Sequence, residues 1–170
     1  MVTSSQSSVD EMHKLSNKWT IYAHLPHDTD WTLDSYKTLF TTDTMEEFIT
    51  LTESLPDQLI SNCMLFIMKD DIQPIWEDAH NKNGGCFSYK ISNKSVPTIW
   101  RKFSYKLIGN TLLKSEKTNN NINGITISPK KNFCIIKLWF SDCSNKNPDC
   151  IDYFKGVDAH GCLFKKHFNK

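Results

Sequence analysis

No apolar run in this chain is long enough to cross a membrane, and no hydrophobic segment of signal-peptide type lies near its start. These absences set the expectation of a soluble, cytoplasmic protein. The formal net charge is only +1, so no global field steers the chain to nucleic acid or to a lipid surface. Any nucleic-acid contact must be local. Cys63, Cys86, Cys134, Cys143, Cys150 and Cys162 include no C-x-x-C pair and no Cys/His group at zinc-ligand spacing. They read as free thiols, mostly in strands, and no metal or cofactor is expected. His160-Gly161-Cys162 is a faint metal or redox signal that the bland surface reading outweighs. G-x-G-x-x-G, P-loop, nucleophile-elbow and internal-repeat patterns are also missing. What remains at 170 residues is one domain with a full core, acting through a local site.

The Ser-rich start predicts a disordered tail over 1–12 and a single domain over 13–170. Trp19 to His24 alternates like a half-buried strand, and the apolar run Cys63 to Met68 reads as a buried one. Asp43 to Leu55 reads as a helix, with Asp43 and Glu46 close to a capping box and Met45, Phe48, Ile49 and Leu55 near helical spacing. A second helix should open at Ser95-Val96-Pro97 and close at Gly109. Its stripe of Val96, Ile99, Trp100, Phe103, Leu107 and Ile108 faces a core. Lys114 to Asn123 reads as a polar, mobile loop. Gly124–Ser128 and Phe133–Phe140 form a hairpin, Pro148–Lys155 a short helix ended by Gly156, and Leu163–Phe168 a last strand. Hairpins with helices between them give an α+β fold, a mainly antiparallel sheet with helices on one face.

The chemistry concentrates in Ile72 to Phe87, IQPIWEDAHNKNGGCF. Pro74 pushes Gln73 toward an extended shape, Trp76 is followed at once by Glu77 and Asp78, and Asn81 to Gly85 is a turn whose glycines accept φ > 0. Trp76 is either a plug at a core edge or a ring that stacks on a flat, electron-poor partner while the acid reads its N–H edge. Trp31, alone among polar residues, carries the same two readings. His80 near Glu77 and Asp78 could serve acid–base chemistry on a nucleotide, but no nucleophile or metal cluster accompanies it. A surface histidine is the simpler account, and no catalytic residue is assigned. Two loop indoles, an acid and the hairpin lysines Lys130, Lys131 and Lys137 instead compose a site for a guanine base with phosphates. A methylated, cationic guanine suits it best.

In sequence the chain resembles the cap-binding translation initiation factor 4E family from about His13 to Ser141. The motifs occur in order: HKLSNKW at His13–Trp19, Trp31, DTMEEF at Asp43–Phe48, IQPIWEDAHNKNGG from Ile72, Trp100, LIG at Leu107–Gly109, and Leu138-Trp139. The resemblance implies a cupped-hand sheet with helices on its convex face and the 7-methylguanosine cap of mRNA in its hollow. It implies that Trp31 and Trp76 sandwich the base, that Glu77 bonds the guanine edge, and that Trp139 lies near the methyl group. Lys130 stands where the family keeps an arginine for the triphosphate.

Three departures from the family pattern are visible. The second phosphate-binding lysine falls on Ile135, and Cys86 occupies a place that is often basic, so Lys137 and Lys131 are expected to take over. On the helical back, where the family holds scaffold and repressor proteins, Ile49 replaces a tryptophan, Met45 a valine, Lys14 a proline and Lys102 an acid. The expected partner surface is therefore an altered one, built from His13, Leu15, Met45, Ile49 and Tyr105. Beyond Ser141 the chain is compressed relative to the family. These departures fit a divergent member of viral or parasite type, acting as a monomer in translation initiation or its modulation. A protein adaptor that kept the fold without binding caps is the remaining alternative.

Overall fold

A computed structural model describes residues 11–168. Of the expected tail, Met1–Asp10 lies outside the described residues. Seven strands form one antiparallel sheet: β1 (Lys14–His24), β2 (Tyr36–Thr44), β3 (Met64–Lys69), β4 (Gly85–Ser92), β5 (Ile122–Pro129), β6 (Phe133–Phe140) and β7 (Leu163–Lys166). Their order across the sheet is β2-β1-β3-β5-β6-β4-β7. The sheet is curved, as the family resemblance implies, and backed by helices, as the sequence pattern predicts.

Successive side chains of a strand point to opposite faces, and here the alternation sorts core from site. Ile21 and Ala23 of β1, Leu65 and Ile67 of β3, Phe87 and Tyr89 of β4, and Ile136 and Leu138 of β6 belong to the main core. Their neighbours Phe66, Met68, Cys86 and Trp139 form a second cluster on the other face. β3 is apolar on both faces because it is central and covered on both, which is why its sequence reads as an unbroken run.

Helices α1 (Met45–Ser54), α2 (Asp57–Asn62) and α3 (Val96–Ile108) cover the main-core face. Every residue of the α3 stripe is buried, Trp100 completely. Capping differs from expectation. Thr44, not Asp43, caps α1, and its side chain makes no capping bond. Asp43 is drawn away by Lys14 at 2.8 Å. The Met45 N–H instead donates to the His13 carbonyl at 2.9 Å, and the Glu46 carboxylate accepts the His13 N–H at 2.9 Å. The start of β1 thus does the work expected of a capping box. The α1 stripe is also narrower than predicted, since Phe48 is buried while Met45 and Ile49 stay exposed. At the end of α3 the left-handed residue is Asn110 (φ 54°), whereas Gly109 has an ordinary negative φ.

Other expectations are corrected. β2 and α2 carry no clear sequence pattern and were not anticipated. Lys114–Asn123 holds a 3-10 turn over Glu116–Asn121, pinned by buried Asn119, whose Oδ1 accepts the Leu113 N–H at 3.0 Å. The helix expected over Pro148–Lys155 shrinks to a 3-10 turn at Pro148–Cys150. All six cysteines are free, but only Cys86 and Cys134 lie in strands.

The paired glycines do not serve the purpose read from sequence. Neither Gly84 nor Gly85 has a positive φ. They are needed for close approach instead. A Cβ on Gly84 would lie 1.7 Å from the Phe140 carbonyl oxygen, and one on Gly85 would lie 2.6 Å from the Lys165 carbonyl oxygen and 2.7 Å from the Phe164 ring. β4 can therefore pair with β6 on one side and β7 on the other. Gly85→Ala is expected to push β7 off β4 and cost about 1–3 kcal/mol, as overpacking does. Denaturant unfolding measures this, and an unchanged midpoint would contradict the packing argument.

Candidate functional site

The face of the sheet opposite the helices holds a cavity of about 410 Å³. Its lining includes Trp31, Trp76, Glu77 and Trp139, with Lys130 and Lys137. Six of the seven residues expected for a base and its phosphates are thus brought together. Lys131 sits on the exposed hairpin turn and does not join the lining. Trp31 and Trp76 are 55% and 40% exposed, so neither is a core plug, whereas Trp139 is 3% exposed and forms part of the floor. The Trp139 Nε1–H donates to Thr126 Oγ1 at 3.3 Å, which fixes the floor indole to β5.

The loop between β3 and β4 presents Trp76 and Glu77, and Asn81 holds its shape from inside. Asn81 is fully buried; its Nδ2 donates to the carbonyls of Gln73 (3.0 Å) and Ile75 (2.8 Å). Its Oδ1 accepts from Asn123 Nδ2 at 3.0 Å, and the same Asn123 amide donates to the His80 carbonyl at 2.8 Å. Asp78 closes the loop from the other side by accepting the N–H groups of Gln73 (3.0 Å) and His80 (2.8 Å). Burial works against its charge, but these bonds outweigh burial and hold its carboxyl below the usual range. The His80 ring pairs with Asp78 at 3.0 Å. His80 and Asp78 therefore staple the loop.

Trp31 is supported differently. It lies between β1 and β2, stacked on the His24 ring at 3.9 Å and 3° between planes. His24 is itself buried and bonded through Nε2 to the Asp30 carbonyl at 2.7 Å. One face of Trp31 is thereby covered by His24. Tyr36 of β2 packs edge-on to both rings and also lines the cavity. Burial, and then the charge of Glu77, raise its phenol above the ordinary tyrosine value. His24 and Tyr36 escaped the sequence reading. Their one legible signal is parity, since Tyr22 and His24 alternate with the core residues Ile21 and Ala23.

Lys137 of β6 places its ammonium 5.7 Å from the centroid of Trp76, a cation over a ring face. Cys86 is buried between Lys137 and Lys165, which pairs with it across β4 and β7. Burial raises its thiol, and the two lysines oppose that rise. Lys165 also escaped the sequence reading.

On the helical side lie the residues named for a partner surface. Met45 and Ile49 are each 40% exposed, and Leu15 packs against the core edge. The His13 ring pairs with Glu46 at 2.5 Å, the Tyr105 hydroxyl donates to Glu53, and the Lys102 ammonium sits 5.6 Å above the Phe154 ring.

The family model for eukaryotic initiation factor 4E matches residues 14–153. The eukaryotic translation initiation factor 4E of Candida albicans is 28% identical over 152 residues, 84% of this chain and 71% of that protein. A homolog of the same factor from Acanthamoeba polyphaga mimivirus is 27% identical over 136 residues, 68% of this chain and 50% of that protein. Among solved structures, Ascaris suum eIF4E-3 with m7G cap superposes with a TM-score of 0.71 at 20% identity, covering 79% of this chain and 77% of that one. Schistosome eIF4E complexed with m7GpppG and 4E-BP gives 0.70 at 23%, covering 79% and 75%. At these identities the superpositions establish the shared fold.

Asn81→Ala removes the internal donors of the Trp76 loop and strands buried carbonyls at Gln73 and Ile75. It is expected to cost about 1–3 kcal/mol per carbonyl left unpaired. Thermal or denaturant unfolding reads the loss, and full stability in the variant would show that the loop holds itself by other means.

Proposed function

The chain belongs to the eukaryotic initiation factor 4E family, and on that premise we propose that it binds the 7-methylguanosine 5′ cap of mRNA in this cavity, serving translation initiation by mRNA recruitment or its modulation. The observation that carries the proposal is the convergence of two exposed indoles, one carboxylate and two lysines on a single cavity. N7-methylation makes the guanine cationic. Indole faces are negative, so a purine held between Trp31 and Trp76 gains both stacking and cation–π attraction. The Lys137 ammonium over Trp76 reflects the same attraction. When the base enters, Lys137 gives up that ring face and moves toward the phosphates. Glu77 accepts the N1–H and exocyclic N–H of guanine, a pattern that adenine does not offer, and Trp139 floors the pocket.

Lys130 and Lys137 hold the phosphates as point charges, without the bidentate fork of arginine. Lys131, on the same hairpin turn, adds charge at longer range. The protein works as a cytoplasmic monomer, with residues 13–170 as one domain. A hydrolytic reading built on His80 is disfavoured because His80 does not line the cavity, and its ring is bonded to Asp78 at 3.0 Å within the loop.

The helical surface of His13, Leu15, Met45, Ile49 and Tyr105 is the site for a scaffold or repressor protein. Ile49 is a smaller anchor than a tryptophan. A 4E-binding protein helix peptide is expected to bind weakly, and Ile49→Trp to tighten it about tenfold or more, read by fluorescence anisotropy. Tight binding by the unsubstituted chain would refute the altered surface.

Titrating tryptophan fluorescence with 7-methyl-GTP tests the cap site itself. Trp76→Ala removes about 1–3 kcal/mol of stacking, roughly 5- to 150-fold in Kd, and Glu77→Ala is expected to erase the preference for guanine. Lys130→Ala should reduce the gain from monophosphate to triphosphate analogues. Turnover of the analogue, or no binding at all, would defeat the proposal.

A further inference from the structure

The two clamp indoles have matching supports, and one of them has no assigned role. Trp31 lies flat on His24. Trp76 meets His167, with ring centroids 5.9 Å apart, and the same imidazole packs on the floor indole Trp139 at 4.9 Å. His167 follows β7 directly, and its N–H donates to the Gly84 carbonyl at 3.0 Å, which extends the β4–β7 ladder by one step. Alternation along β7 sends Phe164 into the main core, against Phe87, and turns Lys165 and His167 to the cavity side.

Only 7% of His167 is exposed, and its Nε2 has no hydrogen-bond partner among the described residues. A buried polar atom left unpaired is costly, so the place of this ring in the structure rests on its contacts with Trp139 and Trp76 and not on its nitrogen. Burial first, and then the charge of Lys137, push its imidazole down to about 4. The ring is therefore neutral at physiological pH and adds no repulsion beside a cationic base.

We propose that His167 is a positioning residue for the cap base: its ring, wedged between Trp139 and Trp76, sets the angle at which Trp76 closes on the purine. The inference rests on the cap-binding reading above. It gives the residue after the last strand a part in the site from behind the cavity lining.

The test uses the full chain and its His167→Ala and His167→Phe variants, each titrated with 7-methyl-GMP and 7-methyl-GTP, with unfolding followed in parallel. His167→Ala is expected to weaken both analogues by about tenfold and by the same factor. The triphosphate-to-monophosphate ratio then stays at its original value, unlike in Lys130→Ala. His167→Phe, which keeps a ring in the wedge, is expected to restore binding to within about threefold. Loss of the phosphate ratio, equal losses in both variants, or unchanged binding in His167→Ala would each overturn the inference while leaving cap binding intact. No analogue binding by the unsubstituted chain would sink the cap-binding reading and this inference with it.

Discussion

A continuous run of ring contacts crosses the concave face and holds its two exposed indoles in place. From Trp31 it passes to His24 and Tyr36, then to Phe66 at 5.2 Å, Trp139 at 6.4 Å, His167 at 4.9 Å and Trp76 at 5.9 Å. Most of these contacts are edge-to-face or tilted, the geometries that aromatic quadrupoles favour. Each ring comes from a different place in the chain: β1, β2, β3, β6, the residue after β7, and two loops. The placement of the two exposed indoles is thus set by the sheet itself. A loop-borne tryptophan would otherwise be free to swing, and ordering it on binding would reduce the net affinity.

The arc exists because strand alternation divides the aromatic residues between two jobs. Phe87, Tyr89 and Phe103 serve the helix-covered core, while Phe66 and Trp139 serve the cavity floor. The glycine pair at the start of β4 joins the two. With no Cβ at Gly84 or Gly85, β6 and β7 close in on either side, and His167 reaches Trp76 and Trp139. A steric requirement in the backbone thereby governs an aromatic contact in the site.

Much of this was legible in the sequence, for physical reasons that differ by element. α3 and β3 carry strong patterns because burial leaves them little choice of residue. The Trp-Glu-Asp loop was legible because it resembles a known family motif. β2 was not, since an edge strand with one exposed face carries polar residues that read as loop. The glycines were recognised but misread, because sequence shows that a side chain is missing and not whether φ or crowding requires it. His24, Tyr36, Lys165 and His167 were missed because their meaning lies in pairing across strands, which one sequence does not display. The cap on α1 failed for a related reason: Glu46 found its partner at His13, just before β1 and 33 residues earlier.

The charge around the cavity follows the same logic of neighbours. Family likeness implies a basic residue at position 86, yet here Cys86 is 5% exposed and packs with Phe66, Met68 and Trp139. A cation at such a depth would lose most of its hydration unless its head reached solvent. The thiol fills that volume without this cost. Positive charge stands instead on the two flanking strands, at Lys137 of β6 and Lys165 of β7, both close enough to Cys86 to act on its thiol. Because β7 is an edge strand, Lys165 keeps its ammonium in water. The cavity thus combines an aromatic floor with cations near its rim.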